Sequence, residues 1–597
     1  REVKETLRSL PDQGLGYGIL RYLDPVHGPA LARHATPQFG FNYLGRFTTG
    51  TDDTGDEGMT DWVPVSGPFA VGAGQDPELP VAHAVEFNAI TLDTPEGPRL
   101  GVTWSWPTTL LPESRIRELA RYWDEALEGL VEHARHPEAG GLTPSDVTLV
   151  EVNQVELDRL QAGIAGGAEE ILPVSALQEG LLFHSALASG GVDVYVGQLV
   201  FDLVGSVDVD RLRAAVEGLV ARHGVLRSGY RQLRSGEWVA VVARQVDLPW
   251  QSIDVRDGGI DGLVEEERWR RFDMGRGPLA RFVLIRTHDD RFRFVITYHH
   301  VVLDGWSVPV LLRELLALYG SSGDVSVLPG VRSYGDFLRW VAARDAAAAE
   351  GAWRRALTGL EEPSLVAPGV SRDGVVPAAF HGAVDGDLSQ KIVAWARGRG
   401  VTVASVVQAA WALVLGRLMG RDDVVFGVTV SGRPAEVAGV EDMVGLFVNT
   451  IPLRARLDPA ESLGGFVQRL QREQTELLEH QHVRLAEVQR WAGHKELFDV
   501  GMVFDNYPVS SESPEAEFQI SRTGGYNGTH YALNLVASMH GLELELEIGY
   551  RPDAFDAGRV REVWGWLVRV LEGVVSGGGG VSVSGVDVLG VGERERL

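Results

Sequence analysis

The chain has 597 residues, too many for one hydrophobic core, and its 44% apolar and 23% charged content are ordinary for a folded globular protein. A formal charge of −27 argues against a nucleic-acid partner, which would need a basic face. The absence of cysteine removes disulfides, thiolate metal sites and a cysteine nucleophile, and no run of 18 apolar residues reads as a membrane span.

The N-terminus, "REVKETLRSLPDQG", lacks Met and has no signal-peptide pattern, so it reads as an internal stretch of a longer cytoplasmic polypeptide. Residues 100–107, "LGVTWSWP", alternate as a strand, and residues 114–130, "SRIRELARYWDEALEGL", carry a helical period. The same order returns at the far end, as "LELEIGYRP" (544–552) followed by "GRVREVWGWLVRVLEGV" (558–574). Six of the seventeen helix positions are identical, at a constant offset of 444. Upstream of each pair, "FGFNYLGRF" (39–47) resembles "GMVFDNYPV" (501–509). A repeat with one copy near each end predicts two related domains in tandem. The first has only about 40 residues before its "FNYLG" strand, so it reads as a C-terminal end whose own site lies upstream of Arg1.

The expected organisation is a partial domain over 1–135, a linker over 136–170, a two-lobed domain with lobes at 171–345 and 346–575, and a flexible tail over 576–597 leading to a downstream domain. Within the two-lobed domain, Ser175 can cap a helix carrying Leu177, Leu181 and Leu182 on one face. A helix over 209–230, a strand over 291–300, a helix over 307–320, a helical bridge near 341–352 and a strand over 422–434 follow. Such alternation predicts an α/β or α+β protein whose two halves face each other across a cleft.

The stretch "YHHVVLDGWS" (298–307) is where chemistry concentrates. Successive strand residues point to opposite faces, so His299 and His300 cannot both line one site. That disfavours a two-histidine metal centre, and no third ligand stands at zinc spacing. Gly305 suggests a tight turn or close approach by a ligand, and Asp304 can hold the loop through an ion pair or backbone hydrogen bonds. Taken alone, the pattern reads better as a strand-end histidine followed by a structural Asp-Gly turn than as a catalytic loop. Ser307 has no G-x-S-x-G elbow around it to make it a hydrolase nucleophile.

A set of spaced segments resembles, in order, the condensation domains of nonribosomal peptide synthetases. They are "SALQEGLLFH" (175–184), "RHGVLRSGY" (222–230), "HHVVLDGWS" (299–307), "YGDFLRW" (334–340), "SGRP" (431–434), "VGLFVNTIPLR" (444–454), "HQHVRLAEV" (480–488) and "LFDVGMVFDNYP" (497–508). Near the N-terminus, "GLGYG" (14–18), "FNYLGRF" (41–47) and "LTPSDVTLVEV" resemble the end of an epimerization domain, a relative that shares the H-H-x3-D-G loop. Epimerization domains usually read V-G-W-F-T where this chain reads "VGLFVNT" around Asn449, which identifies 171–575 as condensation-like.

The resemblance implies two chloramphenicol-acetyltransferase-like lobes in a V-shaped pseudo-dimer with a central tunnel, preceded by a partial lobe of a related domain. It implies substrates carried on the 4'-phosphopantetheine arms of upstream donor and downstream acceptor carrier domains, a neighbouring adenylation domain, no cofactor held by the domain itself, no metal, no nucleic acid and no membrane. The implied reaction is attack of an acceptor amine on a donor thioester, the donor being D-configured. The implied catalytic residues are His300, Asp304 and Gly305, with His300 as base or amine-positioning group. His299, Arg433 and Asn449 are implied to be structural near the site, Arg433 as the partner of Asp304, and Trp306, Ser307 and Ser431 are candidates for the tunnel wall. His482 stands where Asp is common in the family. The alternatives are a non-catalytic condensation-like recruitment module, which typically lacks the second histidine, and an epimerase.

Overall fold

The computed structural model describes residues 1–48, 80–94, 97–136, 139–187, 191–255, 258–370, 375–505, 518–577 and 580–588. The chain divides into two compact units, Arg1–Gly140 and Gly141–Leu597.

In the first unit, β1 (Phe39–Thr48), β2 (Val85–Thr94) and β3 (Gly97–Ser105) form one sheet in that order. β1 runs parallel to β2, and β2 antiparallel to β3. Phe87 packs between Phe41 and Trp104, each ring centroid 4.8 Å away, and its edge meets Trp123 of the helix Glu113–Arg135.

The second unit begins with β4 (Ala168–Pro173), β5 (Val196–Gly205), β6 (Ser228–Gln232), β7 (Trp238–Ala243), β8 (Trp250–Asp254), β9 (Ala280–His288) and β10 (Arg291–His299). It continues with β11 (Ala378–Ala383), β12 (Asp423–Val430), β13 (Asn449–Arg456), β14 (Val500–Asp505), β15 (Phe518–Asn527), β16 (Leu533–His540) and β17 (Glu543–Tyr550). Three sheets result, ordered β4-β7-β6, β15-β5-β10-β9-β8 and β11-β17-β16-β14-β12-β13. β14 is parallel to β16 and β16 antiparallel to β17, and the helix Ala557–Ser576 follows. This is the connectivity of the first unit's sheet and helix, so the repeat seen in sequence is also a repeat of topology.

The six-stranded sheet is covered by the helix Val403–Met419, which is buried at every position from Ser405 to Gly416. A helix apolar on all sides must be enclosed on all sides. It lies in one core with the sheet and with Val560, Val563, Leu567 and Leu571 of the last helix. The other large core gathers the five-stranded sheet with the helices Val209–Arg222 and Ser307–Gly320.

Four features differ from the sequence expectations. The helix expected over 209–230 ends at Arg222, and Ser228–Gln232 pairs with β7, which buries Tyr230. Sheet pairing there outweighs the helical period. The expected linker 136–170 is packed from 141 onward: Leu142, Val147, Val150, Leu157 and Leu160 share a core with Ile171, Val239 and Val241. The tail expected to be flexible bonds back through Leu463 N–H to the Val581 carbonyl, and Val583, Val586 and Val588 join the second lobe's core. The lobes are also not contiguous in sequence. Val437, Val440, Met443, Val444, Leu446 and Phe447 belong to the first lobe's core, and β15 pairs with β5 at the edge of the first lobe's sheet.

The return from β15 depends on Gly528, where a Cβ would stand 2.6 Å from the Val194 carbonyl oxygen and against the Tyr526 hydroxyl. Gly528→Val should displace this strand, lower the melting temperature and accelerate hydrogen exchange of β5 amides, with β12–β13 amides less affected.

Candidate active site

β10 delivers the two histidines with opposite orientations. His299 is fully buried and His300 half-buried, with the His300 N–H donating to the Tyr195 carbonyl at 2.9 Å. The His300 ring meets Tyr298, on the same strand face, edge to face at 5.3 Å. It is hydrogen-bonded to the Leu303 backbone and approached by the Asn527 side chain from β15. Its Nε2 is buried with no hydrogen-bond partner. Burial pushes the imidazole from 6.5 down to about 4 against the pull of Leu303, Asn527 and Asp193. The ring is therefore neutral at pH 7, with its Nε2 outside any geometric hydrogen bond.

Asp304 lies on the turn after β10 and is buried. Its Oδ1 accepts from the Ser307 N–H at 2.8 Å, the Ser307 hydroxyl at 2.7 Å and Arg433 Nη2 at 3.1 Å. Its Oδ2 accepts from the Phe447 N–H at 3.1 Å and lies 3.3 Å from the same Nη2. Arg433 also donates through Nη1 to the Val440 and Met443 carbonyls, while its guanidinium sits 4.0 Å from the Phe447 ring centre. Gly432 makes this approach possible. Its φ is +61°, and any Cβ would run into the Phe447 carbonyl oxygen.

These contacts assign the expected site residues to different tasks. Asp304, expected among the catalytic residues, has both oxygens engaged by the chain and ties the turn after β10 to the segment 433–447. Ser307, expected in the tunnel wall, is fully buried, with its hydroxyl held between Asp304, Arg433 and Gly445. Trp306 is half-buried and donates from its indole N–H to the Glu441 carbonyl at 3.0 Å, and Gly305 beside it is half-buried. Ser431 is exposed. Asn449 is buried at the start of β13 and donates to the Gln481 and Val483 carbonyls at 2.6 and 2.8 Å, which fixes the "HQH" loop. His482 in that loop has its Nδ1 buried without a partner and is pushed down by burial.

Sequence spacing missed Asp193, Tyr195 and Asn527. The Asp193 carboxylate receives the Ser185 hydroxyl at 2.7 Å and the Tyr195 N–H at 3.1 Å, and lies 3.4 Å from His299 Nε2. At that distance the last contact is more electrostatic than a geometric hydrogen bond. Burial raises the Asp193 carboxyl, but its contacts with His299, Ser185 and Tyr195 outweigh burial and hold it at about 2. The only cue in the sequence is an acid shortly before an apolar strand. Among the described residues, no cluster of three or more His, Asp or Glu side chains is arranged to hold a metal.

Removing one member of a buried ion pair strands the other, at a cost of about 3–5 kcal/mol. Asp304→Ala and Arg433→Ala should each lose stability on this scale. The double variant should lose much less than their sum in a urea-unfolding cycle.

A family model described as the condensation domain matches residues 168–596. A linear gramicidin synthase of Brevibacillus parabrevis is 33% identical, the match covering 96% of this chain and 8% of that protein. Bacitracin synthase 3 of Bacillus licheniformis is 29% identical, the match covering 100% of this chain and 9% of that protein. The chain thus spans about a tenth of the length of these two relatives. Among solved structures, the first condensation domain of the CDA synthetase aligns with a TM-score of 0.57 at 19% identity, over 71% of this chain and 100% of that chain. The X-domain in complex with OxyB from teicoplanin biosynthesis aligns with a TM-score of 0.61 at 21% identity, over 70% of this chain and 96% of that chain. Such likenesses establish the fold, the mixed helix-and-sheet architecture of chloramphenicol acetyltransferase-like lobes. With the family model matched over most of its length, the chain belongs to the condensation-domain family of nonribosomal peptide synthetases.

Proposed function

We propose that residues 171–575 form a peptide bond between two carrier-bound substrates, with His300 handling the acceptor amine. The observation that carries this reading is the buried, unpartnered Nε2 on an imidazole kept neutral. A buried polar atom left without a partner costs about 1–3 kcal/mol, which favours its being reserved for a group the chain does not itself supply. The acceptor nitrogen attacks the donor thioester carbonyl, the C–N bond forms and the C–S bond breaks. His300 Nε2 takes the proton from the attacking amine, or orients that amine, and the departing thiolate is protonated as the product forms. Gly305, with no side chain to obstruct it, is assigned to the acceptor approach. Carrier domains on each side, each with a phosphopantetheine arm, and an adenylation domain that loads them are the partners this chemistry requires. The domain itself needs no cofactor.

The donor is proposed to end in a D-residue. This rests on the first unit, whose "GLGYG" and "FNYLGRF" segments resemble an epimerization domain and whose sheet repeats the connectivity of β14, β16 and β17. The other cues are "SALQEGLLFH" (175–184) and "VFDNYP" (503–508), which resemble the subclass joining a D-donor to an L-acceptor; the second extends beyond Asp505 outside the described residues. A non-catalytic recruitment role is the second reading, and the structural likeness to an X-domain seen with OxyB favours testing it.

Carrier-loaded donor and acceptor, mixed with the whole chain, decide between them, because a recruitment module yields no amide. His300→Ala should reduce single-turnover amide yield at least about a hundredfold with little change in melting temperature. His299→Ala should instead lower stability, because it removes a buried hydrogen-bonded group. An imidazole held at about 4 stays neutral as the pH falls through 6.5, so the acid limb of the His300-dependent rate should lie well below 6.5. Full yield from the His300 variant at sub-saturating acceptor would defeat the reading. Matched D- and L-terminated donors should differ about a hundredfold in initial rate in favour of D, and equal rates would remove the stereochemical assignment alone.

A further inference from the structure

The half-buried His300 is preceded by a fully buried neighbour whose Nδ1 is hydrogen-bonded and whose Nε2, outside hydrogen-bond geometry, faces a carboxylate at ion-pair distance. His299 Nδ1 lies 3.1 Å from the Val301 N–H and must accept from it, which places the ring proton on Nε2. That Nε2–H faces Asp193 Oδ2 at 3.4 Å. Asp193 is itself held by the Ser185 hydroxyl and the Tyr195 N–H, and the Tyr195 carbonyl receives the His300 N–H at 2.9 Å. One carboxylate therefore supports the turn after β10 from two directions, through the His299 ring and through the backbone of Tyr195.

We propose that Asp193 is a positioning residue for condensation: it selects the Nε2–H tautomer of His299, keeps Nδ1 free to accept from Val301, and so fixes the turn that aims His300. This rests on the reading that His300 handles the acceptor amine. With the other tautomer, Nδ1–H and the Val301 N–H would be two donors facing each other. The turn closed by the Val302 N–H on the His299 carbonyl at 3.1 Å would then lose its anchor. A buried carboxylate that orients an imidazole is an established way to hold one tautomer.

Among the described residues, three groups of polar side chains stand near Asp193. Ser185 comes from the helix Ala176–Leu187, and His299 and His300 from the end of β10. Arg271 bonds the Ser185 and Gly191 carbonyls at 3.2 and 3.4 Å, bringing a positive charge to the same end. His184 and His530 stack at 4.5 Å beside Tyr195, whose hydroxyl meets His530 Nδ1. The Asp193 charge also favours protonation of His300, opposing burial.

The test is histidine-selective 15N NMR on the whole chain, paired with single-turnover amide formation. In the wild type, His299 should carry its proton on Nε2 with Nδ1 as an acceptor; a proton on Nδ1 would overturn the proposal without any variant. Asp193→Asn preserves size but can donate to Nε2. It should shift His299 toward Nδ1–H, move the His300 midpoint to lower pH and slow amide formation at least about tenfold, with donor KM unchanged. Asp193→Glu keeps the acceptor charge and should recover part of the tautomer and part of the rate. A wild-type tautomer and rate in Asp193→Asn would overturn the proposal. Full amide yield from His300→Ala defeats the His300 reading instead and leaves the His299 spectrum unchanged, so the two failures are distinguishable.

Discussion

The ion pair between Asp304 and Arg433 is the constraint on which the site's geometry depends. Both side chains are almost wholly removed from water, where an uncompensated charge would be very costly. The carboxylate is satisfied by Arg433, two backbone N–H groups and the Ser307 hydroxyl, and the guanidinium by two carbonyls and the face of Phe447. The pair can form only if the turn after β10 and the segment 433–447 from the other half of the chain hold one mutual register. Because Val437–Phe447 is also part of the first lobe's core, apolar packing and charge pairing enforce the same alignment. Asp304 thereby becomes architecture, and on the same loop His300 keeps an Nε2 with no hydrogen-bond partner.

The histidine loop was legible in the sequence because strand alternation and the spacing of the Asp-Gly turn are local properties. Which histidine is enclosed, and that Arg433 reaches Asp304, follow from alternation and from family resemblance. Asp193 and Asn527 were not legible. They stand 107 and 227 residues from His300, and only sheet pairing of β5 with β10 and β15 brings them near. Ser307 was misassigned for a related reason. A helix-start serine beside a reactive loop looks accessible until the opposing Gly445 segment covers it.

Local pattern also misjudged compactness. Residues 141–170 contain enough glycine and polar residues to resemble a connector, yet Leu157 and Leu160 are spaced to enter one core and are fully buried. In the tail, valine at alternating positions after a glycine run is sufficient to dock on the second lobe. In the repeat, modest helix identity conceals a conserved order of parallel and antiparallel pairing. β1 and β3 are sheet edges in the first unit, whereas their counterparts β14 and β17 are interior strands.

The placement of β15 has a consequence for biosynthesis. β5 ends at Gly205, but the strand that covers its outer edge begins at Phe518, so 312 residues separate the two in the chain. At translation rates of about 5–20 residues per second, that edge waits about 15–60 s for its partner after leaving the ribosome. The residues from Val196 to Phe201 are all buried in the finished fold, which makes this edge an apolar template during that interval. A synthetase that strings many such domains along one chain would expose these edges one after another, each able to accept a neighbour's late strand. Pairing each edge with the strand from its own domain is therefore a kinetic problem in nascent-chain folding, set by how far apart in sequence the two halves of one sheet are encoded.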